Sequence, residues 1–209
     1  MKAAWVITFL IFLVWSGIYP KDYLTWALEV VPAVIGFIVL VATYRSFPLT
    51  PLLYTLILIH CIVLMVGGHY TYAEVPLFEY LKPILGFERN NFDKLGHFLQ
   101  GFVPALIARE ILVRKAVIDS SKWRNFFIVC FCLAFSALYE LIEWAVAIVS
   151  ETGADAFLGT QGYIWDTQSD MAFALVGAIT ALALLGRTHD RQIRNITSQS
   201  NGPASPATV

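Results

Sequence analysis

Charge is what this chain has least of. Only 14% of its 209 residues are Asp, Glu, Lys or Arg, while 58% are hydrophobic. An ordinary soluble domain carries about 25% charged residues, so the composition is displaced toward membrane proteins. A basic surplus is also missing. The net charge is −1, which leaves nothing to neutralise phosphates and argues against a nucleic-acid partner. Cysteine is sparse and forms no CxxC: Cys61, Cys130 and Cys132 all lie in apolar runs. Cys130 and Cys132 point to opposite sides of a helix, so a shared metal is excluded and all three read as packing residues. No small-x-small cleavage motif follows the first apolar run, which therefore reads as an uncleaved anchor and not a signal peptide. Internal repeats are absent.

What is present is a series of apolar runs. A spanning helix needs ~20 mostly apolar residues. Runs 3–19, 23–44, 49–68, 95–113, 125–149 and 170–186 meet or approach that length. The expected fold is all-α: a polytopic bundle of six transmembrane helices over residues 1–194, then a disordered cytoplasmic tail over 195–209. The fourth run is the weakest. Fourteen residues separate Lys94 from Arg109, so it spans only if Arg109 and Glu110 snorkel to the interface. Five spans with a re-entrant fourth segment is the alternative. Placing the N-terminus inside puts Lys2, Arg45, Arg109, Arg114, Lys115, Lys122, Arg124, Arg187, Arg191 and Arg194 on the inner side. Only Lys21, Lys82, Arg89 and Lys94 remain outside. The positive-inside rule then sets both termini in the cytoplasm. Residues 69–94, rich in aromatics, are expected along the outer interface.

Ionisable residues inside hydrocarbon cost free energy and tend to mark function. In this topology Asp93, His97, Glu140, Glu143, Asp166 and Asp170 all fall on the outer half, on the last three helices. Asp93–His97 and Asp166–Asp170 are i,i+4 pairs and Glu140–Glu143 is i,i+3, so each pair shares a helix face. If the faces converge, five carboxylates and an imidazole share a small volume. Like charges so close require shared protons or a bound cation. A divalent metal fits both the oxygen and the imidazole donors. Asp93, His97, Glu140 and Asp170 are the candidate metal ligands, and Glu140, Glu143 and Asp166 the candidate catalytic groups. Bland readings compete. Asp93, Asp166 and Asp170 can cap helices, and the whole cluster can be an inter-helix hydrogen-bond network. His60, His69 and Glu29 read more readily as packing or interfacial residues. Gly96, Gly101, Gly177 and Gly186 read as sites of close helix contact.

Three blocks, NFDKLGHFLQGFVPALIARE, SALYELIEW and GTQGYIWDTQSDM, resemble the YjdF family of small multi-pass proteins. That resemblance covers almost the whole chain. It implies a polytopic protein of the bacterial inner membrane and supplies no reaction. A weaker likeness is to VanZ-like membrane proteins. Asp93, Lys94 and His97 match their first block, while Glu143 stands for a glutamine and Ala174 for an asparagine. Three functions are consistent with the sequence. They are a metal-dependent membrane enzyme acting on a lipid or lipid-linked envelope precursor, a scaffold, and a small ion-coupled transporter.

Overall fold

The computed structural model describes residues 3–149 and 160–200. Lys2, part of the expected 150–169 outer loop and residues 201–209 lie outside the described residues. Within the described residues the fold is all-helical. The helices are α1 (Ala3–Ser16), α2 (Tyr23–Thr43), α3 (Pro51–Tyr70), α4 (Pro76–Leu85), α5 (Phe92–Arg114), α6 (Ser121–Val149) and α7 (Asp166–Ser200). Local chemistry sets several boundaries. Asp22 caps α2 by accepting from the Thr25 amide at 2.7 Å. Thr50 caps α3, with Pro51 in the first turn, where a missing N–H costs nothing.

Four helices have the length and apolarity to cross a membrane: α2, α3, α6 and α7. Their outward faces suit lipid. Phe127, Phe131 and Leu138 on α6, with Ile35 and Ile38 on α2, stay exposed. The helix α1 has 14 residues, fewer than the expected run of 3–19. Its last turn gives way at Ser16 to a bend that leads into α2. The helix α7 passes the expected boundary at residue 194. Its hydroxyls at Thr197 and Ser198 bond back to the carbonyls of Ile193 and Asn195, and Gly202 and Pro203 come only later in the sequence.

The fourth run behaves differently from its expectation. At 23 residues, α5 has the length to span, and it packs against α3, α6 and α7. Its charged residues do not snorkel. Arg109 is buried and pairs with Asp190 at 2.7 Å. Glu110 is wholly buried and accepts from Thr50, His189 and Arg114. The expected interfacial pair is therefore part of a second polar cluster at the opposite end of α5 from Asp93. Ion-pair and hydrogen-bond partners from neighbouring elements meet most of these groups, while Arg109 Nη1 and His189 Nδ1 have no hydrogen-bond partner among the described residues.

The closest helix contact is between α5 and α7. A Cβ on Gly101 would overlap the Ala174 carbonyl, and one on Gly177 would overlap the Phe98 carbonyl. Gly96 meets the ring of Tyr72. Gly186, expected at a contact, faces open space. Tyr72 itself has φ 56, a left-handed conformation that costs a non-glycine residue roughly 1–2 kcal/mol. The turn folds its ring back between Gly67 of α3 and Gly96 of α5.

Candidate carboxylate and histidine site

One end of the bundle gathers the start of α2, the end of α3, the start of α5, the end of α6 and the start of α7. Hydrogen bonds across the loops fix it. The Lys21 amide donates to the His69 carbonyl at 3.0 Å. Asn90 and Gln161 exchange two bonds, Asn90 N to Gln161 Oε1 at 3.0 Å and Gln161 Nε2 to the Asn90 carbonyl at 2.9 Å. The Asn90 side chain also donates to Val75 O and to Glu79 Oε1, tying α4 to the entry of α5. Lys82, and after it the Asn90 amide, hold the exposed Glu79 carboxyl below its ordinary range. None of the α4 side chains is buried, as suits a helix lying along an interface.

The six sequence-selected residues meet here. His97 stands at the centre. Its Nε2 lies 3.3 Å from Asp93 Oδ1 and 3.8 Å from Asp170 Oδ1. Its Nδ1 lies 3.2 Å from Gln100 Oε1 and 3.7 Å from Glu140 Oε1. Two three-residue sets can therefore hold a cation: Asp93, His97 and Asp170 on one side, and His97, Glu140 and Glu143 on the other. Within each set the donor atoms lie within 4.8 Å of one another. His97, Glu140, Glu143, Asp166 and Asp170 are all buried, and Asp93 is nearly so.

The two sides differ in how their charge is met. Lys94 reaches into the first. Its Nζ sits 2.6 Å from both Asp166 Oδ1 and Asp170 Oδ1, and 3.4 Å from Asp93 Oδ2. Arg89 adds a contact with Asp166 at 2.5 Å and one with Asp93 at 3.7 Å. On the second side no Lys or Arg approaches Glu140 or Glu143 among the described residues, and the buried Oε1 of Glu140 has no hydrogen-bond partner. An orphaned buried carboxylate oxygen is costly. It is also the donor a cation seeks.

Several residues of the site were read otherwise from sequence. Arg89 serves there only as a topology marker, and Lys94 as a topology marker and a member of the VanZ-like block, with no place in the site. The i−4 spacing of Arg89 from Asp93, and the need of an acid cluster for counter-charge, were the available signals. Glu29 of α2 is buried and accepts from the Tyr139 hydroxyl at 3.1 Å and from the Tyr72 hydroxyl, so it joins the cluster from a fourth helix. The Tyr139 ring stands edge-on to His97 at 6.5 Å. His69 stays apart. Its Nδ1 meets the Ser16 carbonyl at 2.9 Å and its ring stacks on Trp15. One layer deeper, His60 Nε2 and Ser136 Oγ are buried atoms without hydrogen-bond partners. Cys132 is buried and Cys130 exposed, as their opposite helix faces require.

Residues 1–191 match the family model described as a predicted membrane protein, DUF2238. The chain is similar to the inner membrane protein YjdF of Escherichia coli (strain K12), with 55% identity over 188 residues that cover 90% of each chain. No solved structure matches. With these similarities and its apolar helices, the chain is an integral, multi-pass protein of the bacterial inner membrane.

Proposed function

The chain belongs to the DUF2238 family of predicted membrane proteins, and from that premise and the geometry of the cluster we propose a membrane enzyme with a divalent cation between His97, Glu140 and Glu143. The observation that carries this is the buried, unpartnered Oε1 of Glu140 beside Nδ1 of His97. The cluster sets six carboxyls (Glu29, Asp93, Glu140, Glu143, Asp166 and Asp170) against two fixed cations, Lys94 and Arg89, which pair only with the three aspartates. The deficit of positive charge lies on the side of the two glutamates. Carboxylate oxygens and imidazole together suit Mn²⁺ or Zn²⁺. Such an ion would acidify a bound water and supply a nucleophile at neutral pH.

The remaining residues take roles around it. Asp93 would accept from His97 Nε2 and leave the Nδ1 lone pair to the ion, with the Gln100 amide, whose Oε1 lies 3.2 Å from Nδ1, turning aside. Asp170 and Asp166 hold Lys94 and Arg89, which closes the opposite side of the imidazole to a second ion. Asp93 and Asp170, selected from sequence as ligands, are thus assigned to the surrounding shell. Glu143 and Glu140 are the groups placed to move a proton to or from a bound water.

The bundle is read as six-pass, with α1, α2, α3, α5, α6 and α7 crossing and α4 on the outer surface. Both termini are cytoplasmic, so the site opens near the outer leaflet. A substrate reaching it laterally is a lipid or a lipid-linked envelope precursor. An ion-coupled carrier would gain polar steps from the Glu110–His189 cluster. Between the two clusters, however, Val103, Ala105, Leu106, Ala178 and Ala181 are fully or almost fully buried and apolar, and no buried titratable group of α5 or α7 bridges that layer.

Metal analysis of purified protein equilibrated with Mn²⁺ or Zn²⁺ tests the proposal. One ion per chain is expected, with affinity falling at least about tenfold in Glu140→Gln and in Asp93→Asn. Absence of a stoichiometric ion, or an ion indifferent to Glu140→Gln, sinks it.

A further inference from the structure

Beside the acid cluster runs an open groove. It passes between α4, the α4–α5 turn, α5 and the start of α7, and has a volume of about 690 Å³. One wall is apolar: Phe78, Leu95, Phe98 and Phe173. The other end is charged, with Glu88, Arg89 and Lys94. Tyr163 overhangs that end, its ring centroid 5.6 Å from the Arg89 guanidinium carbon and 5.8 Å from Lys94 Nζ. The exposed Phe87 also lines the groove, and Leu77, Tyr80 and Ile84 are exposed elsewhere on α4. A groove with an aliphatic and aromatic floor and one charged end matches a lipid molecule, with chain and headgroup at opposite ends.

The charges decide which headgroup. Arg89 and Lys94 face a phosphate well. Yet Asp93, Asp166 and Asp170 stand immediately behind them, so the polar end carries no net positive charge. A net anion gains little there. Glu88 is exposed, lies on the same wall and makes no ion pair among the described residues. It complements an ammonium group, and the Tyr163 face adds a second surface for a cation. We infer that this groove binds a zwitterionic phospholipid, its phosphate on Arg89 and Lys94, its ammonium on Glu88 and Tyr163, and its chain along Phe98 and Phe173. This deepens the lipid reading of the proposed enzyme by naming the headgroup. It does not require the cation at His97.

Native mass spectrometry of the full chain in detergent tests the inference. The probes are dioleoylphosphatidylethanolamine, dioleoylphosphatidylglycerol and dioleoylglycerol, each titrated with and without Mn²⁺. The zwitterionic lipid is expected to bind one per chain and roughly tenfold more tightly than either alternative. Ser169→Trp, which fills the groove, abolishes that adduct. Glu88→Gln, an exposed change that leaves the fold untouched, removes the preference over phosphatidylglycerol. Equal binding of the zwitterionic and anionic lipids overturns the inference, as does an adduct insensitive to both variants. Glu140→Gln separates the two claims: it abolishes Mn²⁺ binding and spares the lipid adduct. Bound Mn²⁺ with no selective lipid discards the groove alone, whereas a selective lipid with no Mn²⁺ discards the metal enzyme alone.

Discussion

At the scale of single residues, Glu110 is held by more hydrogen bonds than any other acid among the described residues. Its carboxylate accepts from the Thr50 amide at 3.0 Å, the Thr50 hydroxyl at 2.8 Å, His189 Nε2 at 2.8 Å and Arg114 at 2.9 Å. Both Glu110 and His189 are wholly buried. Truncation would strand the buried His189 imidazole and leave the Arg114 guanidinium only the Pro48 carbonyl, and breaking a buried pair in this way costs about 3–5 kcal/mol. Glu110→Ala is therefore expected to lower thermal stability in detergent by an amount of that order. Glu110→Gln keeps an acceptor for Thr50 and loses less. His189→Ala added to Glu110→Ala costs little more, because the coupling between them is already gone. A double-mutant cycle that finds the two additive contradicts the shared network. None of this was legible in sequence. Adjacent Arg109 and Glu110 look like an interfacial pair, and their true partners stand 60 and 79 residues from Glu110. The outer cluster was legible because i,i+3 and i,i+4 spacing put its acids in pairs on helix faces. Lys94 was hidden there by its second use as a topology marker.

At the scale of elements, the α5–α7 pair is the frame on which both polar clusters are built. It is clasped near one end by Lys94 with Asp166 and Asp170, and near the other by Arg109 with Asp190. Between them the backbones touch at Gly101 and Gly177. Small residues serve in this way because lipid offers no hydrophobic drive for helix association, so close packing must supply it. Gly101→Ala forces a methyl into the Ala174 carbonyl and Gly177→Ala one into the Phe98 carbonyl. Each is expected to cost about 1–3 kcal/mol and to loosen the ligand set, since Asp170 and His97 sit on the two helices so displaced. Gly36→Ala and Gly186→Ala meet open space and should stabilise by about 0.5–1 kcal/mol through helix propensity. Melting temperatures of the four single variants check the contrast. Similar losses at all four positions would mean that backbone contact is not what holds α5 to α7. The sequence placed Gly101 and Gly177 at a contact but equally placed Gly186 there. Nothing in a lone glycine distinguishes a helix face against a neighbour from one against lipid.

At the scale of the whole molecule, the proposed orientation rests on where Lys and Arg lie. The four basic residues assigned to the outer side are all engaged: Lys21 with Glu74, Lys82 with Glu79, Arg89 with Asp166, and Lys94 with Asp166 and Asp170. At the other end Arg45, Lys122, Arg187, Arg191 and Arg194 make no ion pair among the described residues. The positive-inside rule counts Lys and Arg whether or not they pair with acids, so the ten-to-four bias legible in the sequence is what supports the proposed orientation, and the pairing shows instead which loops meet. A six-pass bundle asks the weak fourth run to span as well. With Lys94, Arg109 and Glu110 satisfied by neighbouring helices, α5 needs no apolar surface of its own at those positions. A helix of 23 residues is about 34 Å long, enough for a hydrocarbon core of about 30 Å. Single-cysteine labelling tests the arrangement. In a background with Cys61, Cys130 and Cys132 replaced by serine or alanine, a membrane-impermeant maleimide added to intact spheroplasts should modify Lys21→Cys and Glu88→Cys. It should leave Asp119→Cys and Asn195→Cys unmodified until the membrane is opened. Glu88 and Asp119 flank α5, so labelling of both from outside would make α5 a re-entrant segment. The start of α5 would then lie outside while Glu143 and Asp170 faced the cytoplasm, so the contacts of Lys94 and His97 with Asp170 and Glu140 could not form, and that outcome overturns the shared site together with the six-pass arrangement.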